Sequence, residues 1–485
     1  MTSLKEKSIS GIVWSIVDQL VNLFITFIVG VILARLVSPE EFGLIGLITM
    51  FISLSETFVQ SGFISALIRK QSCTNKDYST VFYFNIVVAI LFYILLWLSA
   101  PMISLYFKEP RLYKIIQVLG FSIIINSFSI IQRTLLIKRI DFKKQALISF
   151  ISTLFSGVCG ILMAYRGYSY WSLVARQILA LLIGSTLLWI FSNWRPLWAF
   201  SRQSFKDLFG FGYKMLLSGI IDNLYRNIYL IVIGKYFSVL ELGFYTRANE
   251  FSKLPSEGIS GVVGRVSYPL LATIQNDKVM LNTYYRKLIR GTMFITFVLM
   301  LGLIAVAEPL VISLIGEKWR SSIIYLQLLS LVGMMYPLHA LNLNILQLLG
   351  RSDLFLKLEI FKKLISVPII TLGIMIGVKE MIIGVLVSSL FAYFLNSFWS
   401  GKLIDYSIRI QMMDLMPSFF LAAIMSIGLF GISLIFSSNY FLLLLIQIMV
   451  GAIFIIVYCQ LTKNQDYIFL KGIVFDLFYK NVSSE

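Results

Sequence analysis

About fourteen separate apolar stretches, each long enough to cross a bilayer, fill this chain from end to end. A helix needs roughly 20 apolar residues to cross ~30 Å of hydrocarbon. The loops between the stretches are short, so they hold no water-soluble domain. The expected spans are 10–36, 42–68, 79–101, 113–136, 145–166 and 170–192. They continue at 210–235, 241–268, 289–313, 322–348, 354–377 and 380–403, and end with 415–436 and 440–461. The second and eighth are the least apolar. Lys5 and Lys7 precede the first run as in a signal peptide, but no small-residue cleavage pattern follows, and the run reads as a membrane helix.

Composition agrees with a membrane solvent. Only 13% of residues are charged and the mean hydropathy is +0.86. A soluble chain could not cover its surface with so little charge. The net charge of +17 suggests nucleic acid at first sight. Its placement argues otherwise, because cations retained on one side of a membrane give the same excess. Cys73, Cys159 and Cys459 lie in or beside apolar segments and imply no disulfide framework. The single histidine, His339, argues against a histidine metal site or general base and reads as a satisfied structural residue.

Alternate loops differ in charge. One set holds Lys5 and Lys7, then Arg69, Lys70 and Lys76, then Lys138, Arg139, Lys143 and Lys144, and later Arg195, Arg202 and Lys206. The other set is much poorer. Cations concentrate on the cytoplasmic side, so both termini are expected there.

The chain also repeats itself at a spacing of roughly 200–212 residues. Asp18 and Gly30 match Asp222 and Gly234. Ser38-Pro-Glu-Glu41-Phe-Gly43 matches Ser238-Val-Leu-Glu241-Leu-Gly243. Pro101, expected to end the third helix, matches Pro309, and Arg139-Ile-Asp141 matches Arg351-Ser-Asp353. Six helices per repeat make the halves parallel repeats about the membrane normal. The expected plan is an all-α polytopic membrane protein. An N-lobe (1–194) and a C-lobe (210–409) of six helices each enclose a central cavity. An interfacial linker (195–209) joins them, carrying Trp198 and several cations after Trp194 and opening on Arg195 and Pro196. Two extra helices and a cytoplasmic tail follow (410–485).

Ionisable residues inside such helices are expensive and usually face a bundle interior or a watery cavity. The first helix has Asp18 and Asn22, the second Glu56 and Gln60. The seventh has Asp222, Asn223, Arg226 and Asn227. The eighth carries Arg247, Glu250, Lys253, Glu257 and Arg265, which fall within roughly a third of the helix circumference. Pairs such as Asp222 with Arg226, or Lys253 with Glu250 or Glu257, could simply neutralise each other. Recurrence at matching places in both halves favours a hydrated cavity. Pro255 suggests a kink in the eighth helix. Arg176 in the sixth helix could line the cavity, whereas Gln132 and Arg133 in the fourth are expected to snorkel. No P-loop, Cys/His cluster or long loop with paired acids is present, so no catalytic residue, metal or cofactor is expected.

Several of these segments resemble bacterial polysaccharide exporters. They are Gly11-Ile-Val-Trp14, Leu36-Val-Ser38-Pro39-Glu40-Glu41-Phe42-Gly43 and Gln132-Arg133-Thr-Leu-Leu-Ile-Lys138-Arg139-Ile-Asp141-Phe142, with Gly316-Glu-Lys318-Trp319 and Leu349-Gly350-Arg351-Ser352-Asp353. The family is the polysaccharide transporter branch of the multidrug/oligosaccharidyl-lipid/polysaccharide flippase superfamily, of the colanic-acid and teichuronic-acid exporter type. The resemblance implies a flippase of the bacterial cytoplasmic membrane. Its substrate would be an undecaprenyl-diphosphate-linked oligosaccharide, moved from the inner to the outer leaflet by alternating access alongside polysaccharide-assembly proteins. It carries no catalytic motif, so site residues rest on polarity. Arg226, Arg247, Lys253 and Arg265, with Arg176, Gln60 and Asn22, are the candidates for substrate contacts. Asp18, Glu56, Asp222, Glu250 and Glu257 are the candidates for coupling to H+ or Na+. Two alternatives stay open: a drug or metabolite antiporter of the same superfamily, and a membrane polysaccharide polymerase or ligase.

Overall fold

A computed structural model describes residues 4–60, 62–70, 72–435 and 439–479. Among these residues the chain is all-helical. It divides into two compact units, Met1–Thr246 and Arg247–Glu485.

The first unit contains α1 (Leu4–Leu36), α2 (Pro39–Gln60), α3 (Phe63–Arg69), α4 (Asn75–Phe107) and α5 (Arg111–Lys138). It continues with α6 (Phe142–Tyr165), α7 (Tyr170–Phe191), α8 (Arg202–Tyr236) and the first turns of α9 (Val239–Thr273). Short polar turns start these helices. Thr74 and Asp77 form a reciprocal cap, the Asp77 amide donating to the Thr74 hydroxyl at 3.2 Å and the Thr74 amide to the Asp77 carboxylate at 2.8 Å. This satisfies donors that a helix start otherwise leaves open. Helices α4 and α5 pack along each other, as do α6 and α7, and α1 lies on α6. Helix α2 is held between α5 and α8.

The second unit contains the rest of α9, then α10 (Lys278–Ala305), α11 (Ala307–Ile315), a 3-10 turn (Glu317–Trp319), α12 (Ser322–Gly333) and α13 (Tyr336–Leu348). It ends with α14 (Ser352–Ile376), α15 (Val378–Ile404), α16 (Ile408–Ile435), α17 (Tyr440–Leu461) and α18 (Gln465–Tyr479). Its core packs α10 against α16 and gathers Tyr285, Phe297, Met300, Tyr393 and Tyr406.

Twelve helical segments among the described residues are long and apolar enough to cross a membrane. They leave large apolar side chains such as Met102 and Leu105 of α4 exposed, as a hydrocarbon solvent permits. The expected eighth and eleventh spans fold as α9 and α14, of 35 and 25 residues, but are not among the twelve. Their internal charges are the cause.

Several local expectations change. The second span breaks between α2 and α3 at Gly62, whose φ of 68° suits glycine. A Cβ there would lie 2.7 Å from that of Met215 in α8. Pro101 does not end its helix, because α4 continues to Phe107 with the proline inside it. Membrane helices tolerate this, since neighbouring groups re-satisfy the freed carbonyl. Pro309 instead sits in the first turn of α11, where no intrahelical N–H is needed. The expected linker becomes helical at Arg202, and Trp194 is buried beside Phe82 and Tyr78 rather than interfacial.

Candidate functional site

In the first unit the expected polar residues split into three groups. Asp18 and Asn22 are joined directly, the Asn22 amide donating to the Asp18 carboxylate and, at 2.9 Å, to the Asp18 carbonyl. The Asn22 oxygen accepts from Thr153 of α6 at 3.1 Å. Glu56 of α2 accepts from the Asn126 amide of α5 at 2.8 Å. Each carboxylate is therefore half-buried and held by an amide, Asn22 one turn along α1 for Asp18 and Asn126 of α5 for Glu56. Gln60 is half-buried one turn along from Glu56, and Arg176 lays its stem on Gly160 of α6.

Helix α8 carries the third group. Asn223 donates to the Ser53 carbonyl at 3.0 Å and to the Thr57 hydroxyl at 3.1 Å, and accepts from the Ser53 hydroxyl at 3.1 Å. Asn227 donates to the Asn223 side chain at 2.9 Å. These two amides lock α8 to α2. Asp222 and Arg226 point elsewhere and are exposed. Among the described residues Arg226 forms no ion pair.

In the second unit Arg247 is 4% exposed. Its guanidinium donates to Glu250 at 2.6 Å and lies 5.8 Å from the Phe251 ring and 5.7 Å from the Trp319 ring. Glu250 thus pairs with Arg247 and not with Lys253, because the i,i+3 arginine reaches it first. Lys253 is half-buried and Glu257 exposed, and neither forms an ion pair among the described residues. The side chain of Arg265 lies outside the described residues.

Two polar clusters of this unit were not expected from the sequence. Asn342 is fully buried and its side-chain oxygen accepts from Tyr285 at 3.2 Å, Ser400 at 2.6 Å and Gln411 at 3.3 Å. Arg286 meets Asp414 through two parallel bonds of 2.8 and 2.9 Å, and Tyr406 donates to the same carboxylate at 2.8 Å. Tyr406 lies between two membrane helices, and burial together with the bond to Asp414 raises its phenol pKa well above the usual value. Polarity within an apolar run marks Asn342, but Gln411 lies between the expected spans 380–403 and 415–436, and the long sequence separation conceals the partnership. His339 faces Ser389 at 3.0 Å and Asn396 at 3.3 Å, a structural setting. Among the described residues no three His, Cys, Asp or Glu side chains come together to hold a metal.

Long apolar helices, inward-held carboxylates and exposed cations define a multi-pass membrane protein that presents polar groups within its helices. Residues 32–324 match the polysaccharide biosynthesis protein family, and the chain belongs to it. It is 27% identical to the lipopolysaccharide biosynthesis protein WzxC of Escherichia coli, over 82% of this chain and 81% of that protein. It is 26% identical to the succinoglycan biosynthesis transport protein ExoT of Rhizobium meliloti, over 66% and 64%. Among solved structures, the lipid II flippase MurJ in an inward closed conformation shares its fold with a TM-score of 0.74 at 17% identity. That match covers 93% of this chain and 99% of that one. An inward-facing MATE multidrug transporter of the MOP superfamily matches with a TM-score of 0.62 at 16% identity, over 80% and 94%. The resemblance seen in the sequence therefore holds at the level of family and fold.

Proposed function

We propose that this chain is a flippase for polyprenyl-diphosphate-linked oligosaccharides. It would carry polysaccharide repeat units from the inner to the outer leaflet of the bacterial cytoplasmic membrane, with both termini in the cytoplasm. The observation that carries this reading is membership of the polysaccharide biosynthesis protein family over residues 32–324. A transport protein of succinoglycan biosynthesis among its relatives and the MurJ-like fold support it.

The physical task suits the residues. A sugar diphosphate loses its hydration in hydrocarbon at high cost unless polar groups replace the water. Arg226 and Lys253 are the cations best placed for this role, because neither is neutralised within the described residues. Arg247 contributes less directly, since Glu250 and two rings already hold it. Asp18 and Glu56 are the candidates for a coupling ion, each held by a neutral amide that tolerates both protonation states.

The test is transport in proteoliposomes. Purified protein should move a fluorescent undecaprenyl-diphosphate-linked oligosaccharide across the bilayer faster than protein-free vesicles do. Equal rates, together with proton-driven uptake of organic cations, would replace the flippase reading with an antiporter.

A further inference from the structure

A partly open cavity of about 240 Å³ lies among α5, α6 and α7 of the first unit, and Arg133 on its wall is exposed. Its polar wall is made by Arg133, Gln145, Ser149 and Ser185, together with Ser129 and Ser152. The hydroxyls of Ser129 and Ser152 donate back into their own helices, to the Asn126 carbonyl at 2.8 Å and the Ile148 carbonyl at 2.5 Å. Ser149, Ser185 and the Arg133 guanidinium remain open to the space. Arg133 forms no ion pair among the described residues, and the Gln145 side-chain amide oxygen is buried without a partner. No carboxylate lines the wall. Glu56 is near enough for its charge to act on Arg133, yet it is bonded to Asn126, seven residues or roughly 10 Å deeper along α5.

The cavity sits at headgroup depth. Trp189, beside the lining residue Leu188, donates its ring N–H to the Phe128 carbonyl at 3.0 Å and lies 5.3 Å from the Arg195 guanidinium. Tryptophan and cations mark the membrane interface. Arg133 is five residues from the end of α5 at Lys138, and Gln145 is three from the start of α6 at Phe142. The end of α5, the turn and the start of α6 between them hold Lys138, Arg139, Lys143 and Lys144. A basic end of this kind concentrates anionic lipid.

We infer that this cavity binds the phosphate of an anionic membrane lipid. A guanidinium without an ion pair, two open hydroxyls and no acid in the wall call for an oxyanion. The volume lies below the roughly 300–1,000 Å³ of ordinary ligand pockets, so it admits one phosphate with its glycerol and excludes an oligosaccharide. Ile148, Leu181 and Leu188 form the apolar wall that the glycerol and first methylenes require. The inference is independent of what the protein transports.

Thermal unfolding of the full chain in neutral detergent tests it, with phosphatidylglycerol, phosphatidylcholine, inorganic phosphate and undecaprenyl diphosphate as separate probes. Phosphatidylglycerol should stabilise the protein and phosphatidylcholine should not. Arg133→Gln should weaken the phosphatidylglycerol effect roughly tenfold or more, the worth of one charge-assisted bond. Ser185→Leu fills the space while keeping the charge and should weaken it as well, so the test survives if Arg133→Gln fails to fold. An undiminished effect in both variants overturns the site. An equal effect of inorganic phosphate overturns the lipid as occupant and leaves a soluble oxyanion. Tighter binding of undecaprenyl diphosphate than of phosphatidylglycerol, abolished by the same variants, overturns the membrane lipid in favour of the transported one.

Discussion

Replacing Gly43 or Gly243 by alanine should damage the protein far more than its size suggests. The two glycines occupy matching places in the internal repeat, Ser38 to Gly43 at the start of α2 and Ser238 to Gly243 at the start of α9. Ser38 and Glu41 cap α2 reciprocally, with bonds of 2.9 and 3.4 Å, and the Ser238 hydroxyl accepts from the Glu241 amide at 3.0 Å. The capped turns then meet backbone to backbone. A Cβ on Gly43 would overlap the Val239 carbonyl oxygen and lie 2.9 Å from both its carbonyl carbon and its Cγ1. A Cβ on Gly243 would overlap the Pro39 carbonyl oxygen and lie 2.6 Å from its carbon. Carbon atoms prefer roughly 3.5–4.0 Å, so the helices must part by about 1 Å, which forfeits a quarter to a half of the local dispersion energy. Overpacking of this kind costs about 1–3 kcal/mol, and the upper end applies because the obstruction is main chain. Alanine recovers about 1 kcal/mol of helix propensity, leaving a net loss of about 2 kcal/mol. In a unit of 246 residues this lowers Tm by about 4–8 °C. Gly428 of α16, with nothing near its would-be Cβ, is the control, and Gly428→Ala should hold or raise Tm. The double variant should lose less than the sum of the singles, since the first separation makes room for the second methyl. Melting of Gly43→Ala at the temperature of Gly428→Ala would refute the argument.

Arg226→Ala and Lys253→Ala should each lower flipping of the lipid-linked sugar by roughly tenfold or more at unchanged membrane abundance, as loss of a charge-assisted contact implies. Reporter fusions at Asn439 and Glu485 should report opposite sides of the membrane. Gln132 of α5 is fully buried with both amide atoms unpartnered, so Gln132→Met should be neutral or stabilise by about 1 kcal/mol in thermal unfolding. Arg286→Ala leaves Asp414 only the bond from Tyr406 and should destabilise by about 2–3 kcal/mol, discounted from a fully buried pair because Arg286 is 40% exposed.

The helical plan was legible because a bilayer imposes one rule on every segment, and long apolar runs obey it. Breaks within those runs were not. Gly62 interrupts the second run because the α8 backbone approaches it, and no periodicity records that approach. The tenth run divides at Met334 and Met335, where Pro337 starts a new helix rather than bending an old one. Pro101 is the opposite case, since its helix absorbs the proline and continues.

For the site, sequence marks which polar residues enter the membrane but not which are already spent. Asp222, Asn223, Arg226 and Asn227 looked like one cluster. A rotation of 100° per residue separates them, so Asn223 and Asn227 clasp α2 while Asp222 and Arg226 stay exposed. In α9 the spacing alone puts five charges on one stripe, yet Arg247 claims Glu250 and leaves Lys253 uncompensated. Arg133 shows the same limit from the other side. Its place near a helix end predicts snorkelling and it is exposed there, but no sequence pattern records the polar space that Ser149, Ser185 and Gln145 line beside it. Whether an intramembrane charge is structural or available depends on its neighbours across helices, and those neighbours are set by packing angles that a single sequence does not display.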